Sequence, residues 1–193
     1  LPGATIDERI ATAERFIEEG YTAIKLSVGR ANIDTDLAGV AAVAEAIAGR
    51  ADLLVDAHGA WTAEQAIPAA RRLEAMGVTW LEDPIPPEAL DSYAALVAAV
   101  DMPIAAGETD CTRWQVAERF SRRAVDVLLP DICRAGGISE GRRIATVASL
   151  HNAKWAAHVS MGTSVHVAAA AHLAAASANY QFQRIKEPLG LVD

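Results

Sequence analysis

Cysteine is scarce in this chain: of 193 residues only Cys111 and Cys133 carry thiols, and their spacing forms no CxxC pair. A disulfide-stapled secreted scaffold is therefore excluded, and a reducing cytoplasm is the expected setting. Basic charge is also short. Seventeen Lys and Arg against 25 Asp and Glu leave a net charge of −8 and a pI near 5.1. Such a field repels nucleic-acid backbones and anionic membrane surfaces, so neither is expected as a partner, and a small anionic substrate would need local positive charge. No basic-plus-apolar signal segment is present at the front. There is no GxGxxG, GxSxG, P-loop or HExxH motif and no basic–aromatic stripe. Residues 155–183 hold no Asp, Glu, Lys or Arg. That stretch is carried by Ala, Ser, His and Gly and is split at Gly162, so it reads as a short strand followed by a bland helix, not a membrane span. Burial of that helix against a second copy is expected, making the protein a homo-oligomer.

The chain does have a sizeable apolar content, 52% against 22% charged residues, enough for a soluble globular domain with a large core. Apolar runs rich in β-branched and aromatic residues fall at 22–28, 52–55, 78–81, 102–105, 125–129, 153–157 and 180–185. Helix-length segments rich in Ala, Leu, Arg and Glu lie between them, at 34–48, 63–76, 88–100, 112–121 and 139–150, with a first helix at 7–19. Glycines at "EEGY" and "MGV" close helices before strands. Unbroken βα alternation predicts a parallel sheet with helical crossovers. Asp56, Glu82, Glu108, Asp131 and His158 follow one another at intervals of 26, 26, 23 and 27 residues, each at the end of a strand. A repeat of one βα unit predicts a closed TIM-like barrel, whose strand ends share one rim. The chain opens in a helix, so one strand of eight is missing at the front. Residues 1–193 are read as a single barrel domain, a fragment of a longer chain whose flanking sequence supplies the first strand and another domain.

Three of the rim carboxylates end consecutive strands. Asp56, Glu82 and Glu108 either sit in solvated turns or face one cavity, where mutual repulsion calls for a cation. Oxygen-only donors select a hard ion, Mg²⁺ first among them. Asp131 and His158 end neighbouring strands, where a carboxylate orients an imidazole for general-base work. In "AIKLSVG", Lys25 and Ser27 share a strand face opposite Leu26, so Lys25 is either a charge-balancing partner of the acids or a catalytic group. His58 is two residues past Asp56, which allows a substrate contact. His166 and His172, six apart in the Ala-rich helix, are read as structural, and His151 as a helix-end residue. "RAGG" at 134–137 is read as a tight turn before a helix. Asp83, next to Glu82, is expected to point away from the rim, with Pro84 ending the strand.

The segments "IKLSVG", "VDAHGAW", "WLEDPIPP", "AAGE", "LLPDICRAGGI" and "AAHVS", in that order, resemble the mandelate racemase and muconate lactonizing enzyme group of the enolase superfamily. The match runs over nearly the whole chain. It implies a (β/α)₇β barrel with a separate α+β capping domain. It also implies Mg²⁺ at Asp56, Glu82 and Glu108, an Asp131–His158 acid/base dyad, and removal of the proton beside a substrate carboxylate.

Two positions depart from the group's pattern. Lys25-Leu26-Ser27 stands where many members have Lys-x-Lys, and Ser27 cannot replace the second lysine as a base; Lys25 keeps an electrostatic role at the substrate carboxylate. The last strand offers Gln183 or Arg184 where a glutamate is usual, with Glu187 a few residues late. A base on one face disfavours racemisation and suffices for elimination. The expectation is a dehydratase that converts an acid sugar to a 2-keto-3-deoxy acid, with a racemase or epimerase, a metal-dependent hydrolase and a non-catalytic metal-binding barrel as the alternatives.

Overall fold

The computed structural model describes residues 5–30, 32–159 and 162–181. The chain divides into two compact units, Leu1–Ile104 and Ala105–Asp193.

In the first unit α1 (Ile6–Glu18) begins with a capping box, in which Thr5 and Glu8 exchange side-chain-to-backbone hydrogen bonds. Then follow β1 (Ala23–Ser27), α2 (Ile33–Ile47), β2 (Asp52–Asp56), α3 (Ala63–Ala75), β3 (Trp80–Glu82) and α4 (Leu90–Val97). A second capping box, Thr62 with Gln65, opens α3. The strands β1, β2 and β3 pair in parallel with Ser27 opposite Asp56 and Asp56 opposite Glu82. Leu26, Leu54, Val55, Trp80 and Leu81 are buried, as are Val40, Val43 and Leu73 from the helices. The register therefore places the three strand-end residues Ser27, Asp56 and Glu82 in one row.

The second unit contains most of β4 (Ile104–Ala106), then α5 (Arg113–Ser121), β5 (Val127–Leu128), α6 (Ile138–Leu150), β6 (Lys154–Trp155) and α7 (Ser164–Ala175). Here too every strand pair is parallel, β4 with β5 and β5 with β6. The expected strands are present but shorter than the apolar runs. Pro130 has no N–H to give a ladder, and Asp131 turns the chain out of the β5 direction. Single hydrogen bonds extend the pairing past the formal ends: Leu129 N–H donates to Ala106 O at 2.8 Å, and His158 N–H to Pro130 O at 3.1 Å. Gly107, at φ +114°, follows β4 so closely that a Cβ there would lie 2.8 Å from Leu128 Cδ1. Of the seventh expected strand, Tyr180 makes one parallel bridge to Trp155, and the remainder, with Gln183, Arg184 and Glu187, lies outside the described residues. Among the described residues no helix is long and apolar enough to cross a membrane.

One buried ion pair holds the loop after β4. Arg119 on α5, 1% exposed, donates Nε to Asp110 Oδ2 at 2.7 Å and Nη2 to Oδ1 at 3.0 Å. Truncating one member of such a pair leaves a charge buried without its bidentate partner. Asp110→Ala is expected to lower the unfolding free energy by about 3 kcal/mol, read from urea denaturation.

Candidate active site

In the first unit the strand ends converge on one ammonium. Lys25 Nζ, from β1, lies 3.0 Å from Asp56 Oδ2 and 2.7 Å from Glu82 Oε1, and both carboxylates are buried. Strand alternation and the parallel register produce this arrangement, since Lys25 lies on the Ser27 face and that face meets the ends of β2 and β3. Lys25 thus forms an ion pair with each of the two acids. Burial works against its ammonium, but the charges of Glu82 and Asp56 and their hydrogen bonds outweigh it and hold Lys25 well above its ordinary value. The other oxygen of Asp56 accepts the backbone N–H of His58 at 3.1 Å, and the His58 ring Nδ1 lies 3.1 Å from it. His58 has a left-handed backbone (φ +51°) and a half-exposed ring.

Asp83 diverges from Glu82, as the register required. Its backbone enters the left-handed region at φ +37°, and its side chain accepts a hydrogen bond from the buried Tyr93 hydroxyl at 3.3 Å. It is a buried structural acid.

In the second unit Asp131 is the hub. Its Oδ1 accepts the backbone N–H groups of Cys133 at 2.7 Å and Arg134 at 3.2 Å, closing a side-chain-to-backbone turn. Its Oδ2 lies 2.9 Å from Nδ1 of His158. The ladder bond from His158 N–H to Pro130 O explains this contact, because it sets the residue after Pro130 beside His158. With Nδ1 at the Asp131 carboxylate, Nε2 is the ring nitrogen left to face another group. Nε2 lies 2.7 Å from Glu108 Oε2, and the other oxygen of Glu108 is 3.2 Å from Arg134 Nη1. Glu108 comes two residues after the last residue of β4, past the sharp turn at Gly107.

The structure adds two residues to this cluster. His166, assigned a structural role from the sequence, is 6% exposed with Nε2 at 3.4 Å from Asp131 Oδ1. Its position as the third residue of α7 was the available signal, since the first turn of a helix that follows a strand in a βα unit starts near the strand ends. Arg134, read only as part of a turn, supplies the cation beside Glu108. His172 is exposed on α7, and His151 caps α6.

The family model described as "Enolase C-terminal domain-like" matches residues 8–191. The chain belongs to that family, and with it to the enolase superfamily. D-galactarolactone cycloisomerase from Agrobacterium fabrum is 41% identical over 170 residues, which span 88% of this chain and 44% of that enzyme. Among solved structures, a mandelate racemase/muconate lactonizing enzyme-like protein from Rubrobacter xylanophilus is 36% identical with a TM-score of 0.86, over 94% of this chain and 50% of that one. L-talarate dehydratase from a Polaromonas species, crystallised with Mg and L-glucarate, is 34% identical with a TM-score of 0.79, over 88% of this chain and 48% of that one. The TIM-like barrel class expected from the βα alternation is thus the fold of this enolase-superfamily domain. The chain spans half or less of each of these relatives, which include a dehydratase and a cycloisomerase.

A group whose folded value is raised stabilises the fold fully below its unfolded value and loses that contribution as pH climbs through the raised one. In the presence of a chelator, Lys25→Met is expected to lower the urea midpoint at neutral pH. The gap to wild type should narrow above pH 10.5, the ordinary value for lysine; a gap that stays constant into that range would show that the ammonium does not stabilise Asp56 and Glu82.

Proposed function

We propose that the protein containing this chain is a Mg²⁺-dependent dehydratase of acid sugars. The observation that carries this reading is the 2.9 Å contact between His158 Nδ1 and Asp131 Oδ2, which orients an imidazole as a base. Asp56, Glu82 and Glu108 are the residues proposed to hold the ion, and an all-carboxylate oxygen donor set suits a hard divalent cation. Two of them, Asp56 and Glu82, are buried strand-end acids that already draw a cation, Lys25. When bound, Mg²⁺ supplies Lewis-acid stabilisation of the negative charge that develops on the substrate carboxylate.

His158 Nε2 takes the proton from C2 of an aldonate or aldarate. The carbon–oxygen bond at C3 then breaks, and His158 returns the proton to the departing hydroxyl, which leaves as water. The resulting enol becomes a 2-keto-3-deoxy acid. Lys25 contributes positive charge toward the substrate carboxylate, and the half-exposed His58 is proposed as a substrate contact. Ser27 supports elimination over racemisation, because on β1 it offers no second base.

A cycloisomerase or epimerase is the second reading, favoured by the 41% identity to D-galactarolactone cycloisomerase. Mass separates the two: a dehydratase product has lost water, whereas an isomerase product has the mass of its substrate. The full-length protein with Mg²⁺, screened against a library of acid sugars, is expected to form a 2-keto acid from one of them. His158→Asn should lower kcat by about 10² to 10⁴-fold. Exchange of the C2 hydrogen with solvent deuterium that persists in His158→Asn would remove His158 from the role of base.

A further inference from the structure

Asp131, Cys133 and His166 each offer one ligand atom, and these atoms lie within 4.8 Å of one another. The proposed chemistry uses only the first of the three. His166 is 94% buried by its 6% exposure, and its Nε2 makes no hydrogen bond among the described residues. A polar nitrogen buried in that condition is costly unless something else engages it. It lies 3.4 Å from Asp131 Oδ1. That separation is long for a hydrogen bond but is the spacing of two ligands on one tetrahedral ion, where bonds of about 2.0 to 2.3 Å put donor atoms roughly 3.3 to 3.6 Å apart.

Local structure builds the cluster from three directions. The turn closed by Cys133 N–H on Asp131 Oδ1 holds the thiol beside the carboxylate. Gly162 lies against the His166 ring so closely that any side chain there would collide with it, which limits how the ring can turn away. Cys133 is exposed, so an ion and the displaced thiol proton have a path to and from solvent.

We propose that Asp131, Cys133 and His166 form a second divalent-metal site, selective for a borderline-soft ion such as Zn²⁺ and distinct in chemistry from the all-carboxylate set. One thiolate sulfur, one imidazole nitrogen and one carboxylate oxygen make a mixed donor set that Mg²⁺ disfavours and Zn²⁺ accepts, with water as fourth ligand. Binding releases the Cys133 proton to solvent. An ion on this carboxylate draws negative charge from Asp131, whose other oxygen orients His158. It therefore weakens the dyad, and the site acts as an inhibitory one; that consequence alone rests on the proposed function.

The test is optical and needs no turnover, so it can fail or succeed independently of the dehydratase assay. Co²⁺ is titrated, as the spectroscopic substitute for Zn²⁺, into the reduced full-length protein in excess Mg²⁺. A near-ultraviolet thiolate-to-cobalt charge-transfer band should grow to saturation at one equivalent and disappear when Zn²⁺ is added. Cys133→Ser, at an exposed position that leaves the circular dichroism unchanged, should abolish the band, while Cys111→Ser should retain it. His166→Gln should weaken Co²⁺ binding about tenfold or more. The proposal is overturned if wild-type protein gives no such band, if the band survives Cys133→Ser, or if His166→Gln binds Co²⁺ with unchanged affinity.

Discussion

Two carboxylates buried one strand apart require a positive charge within hydrogen-bond reach, and Lys25 meets that requirement. The cost of removing Asp56 and Glu82 from water is several kcal/mol for each ion if nothing compensates it. Parallel pairing supplies the compensation, because the register of β1, β2 and β3 leaves the lysine no other face to occupy. Asp131 meets the same demand differently. Two backbone N–H groups hold one of its oxygens and an imidazole faces the other, so its charge is spread over neutral donors and a ring. One device uses a fixed cation; the other uses backbone donors and a ring.

Much of this was legible in the sequence because strand ends and side-chain alternation are periodic. The intervals between Asp56, Glu82, Glu108, Asp131 and His158 announced repeated βα units. The alternation in Lys25-Leu26-Ser27 gave the face on which Lys25 meets the acids, and the buried Leu26 bears it out. Strand lengths were less legible: β5 and β6 are two residues each, and Pro130, which has no N–H to give a ladder, follows β5 without a change that hydropathy registers.

The site residues that escaped notice did so for reasons of connection. His166 looked like an ordinary helix residue, and its approach to Asp131, far away in the sequence, has no hydrophobic signature. Arg134 was read for its backbone because "RAGG" advertises a turn, while its guanidinium finds Glu108 through a contact spanning 26 residues. Asp83 was placed away from the rim by register alone, but its Tyr93 partner lay beyond what alternation could show.

The hydrogen bond from His158 N–H to Pro130 O joins main-chain atoms only. The meeting of Asp131 with His158 is thus written in the backbone, independent of what either side chain prefers. A lineage built on this scaffold can exchange either side chain and still inherit two positions held side by side. Divergence of chemistry then demands no reinvention of geometry.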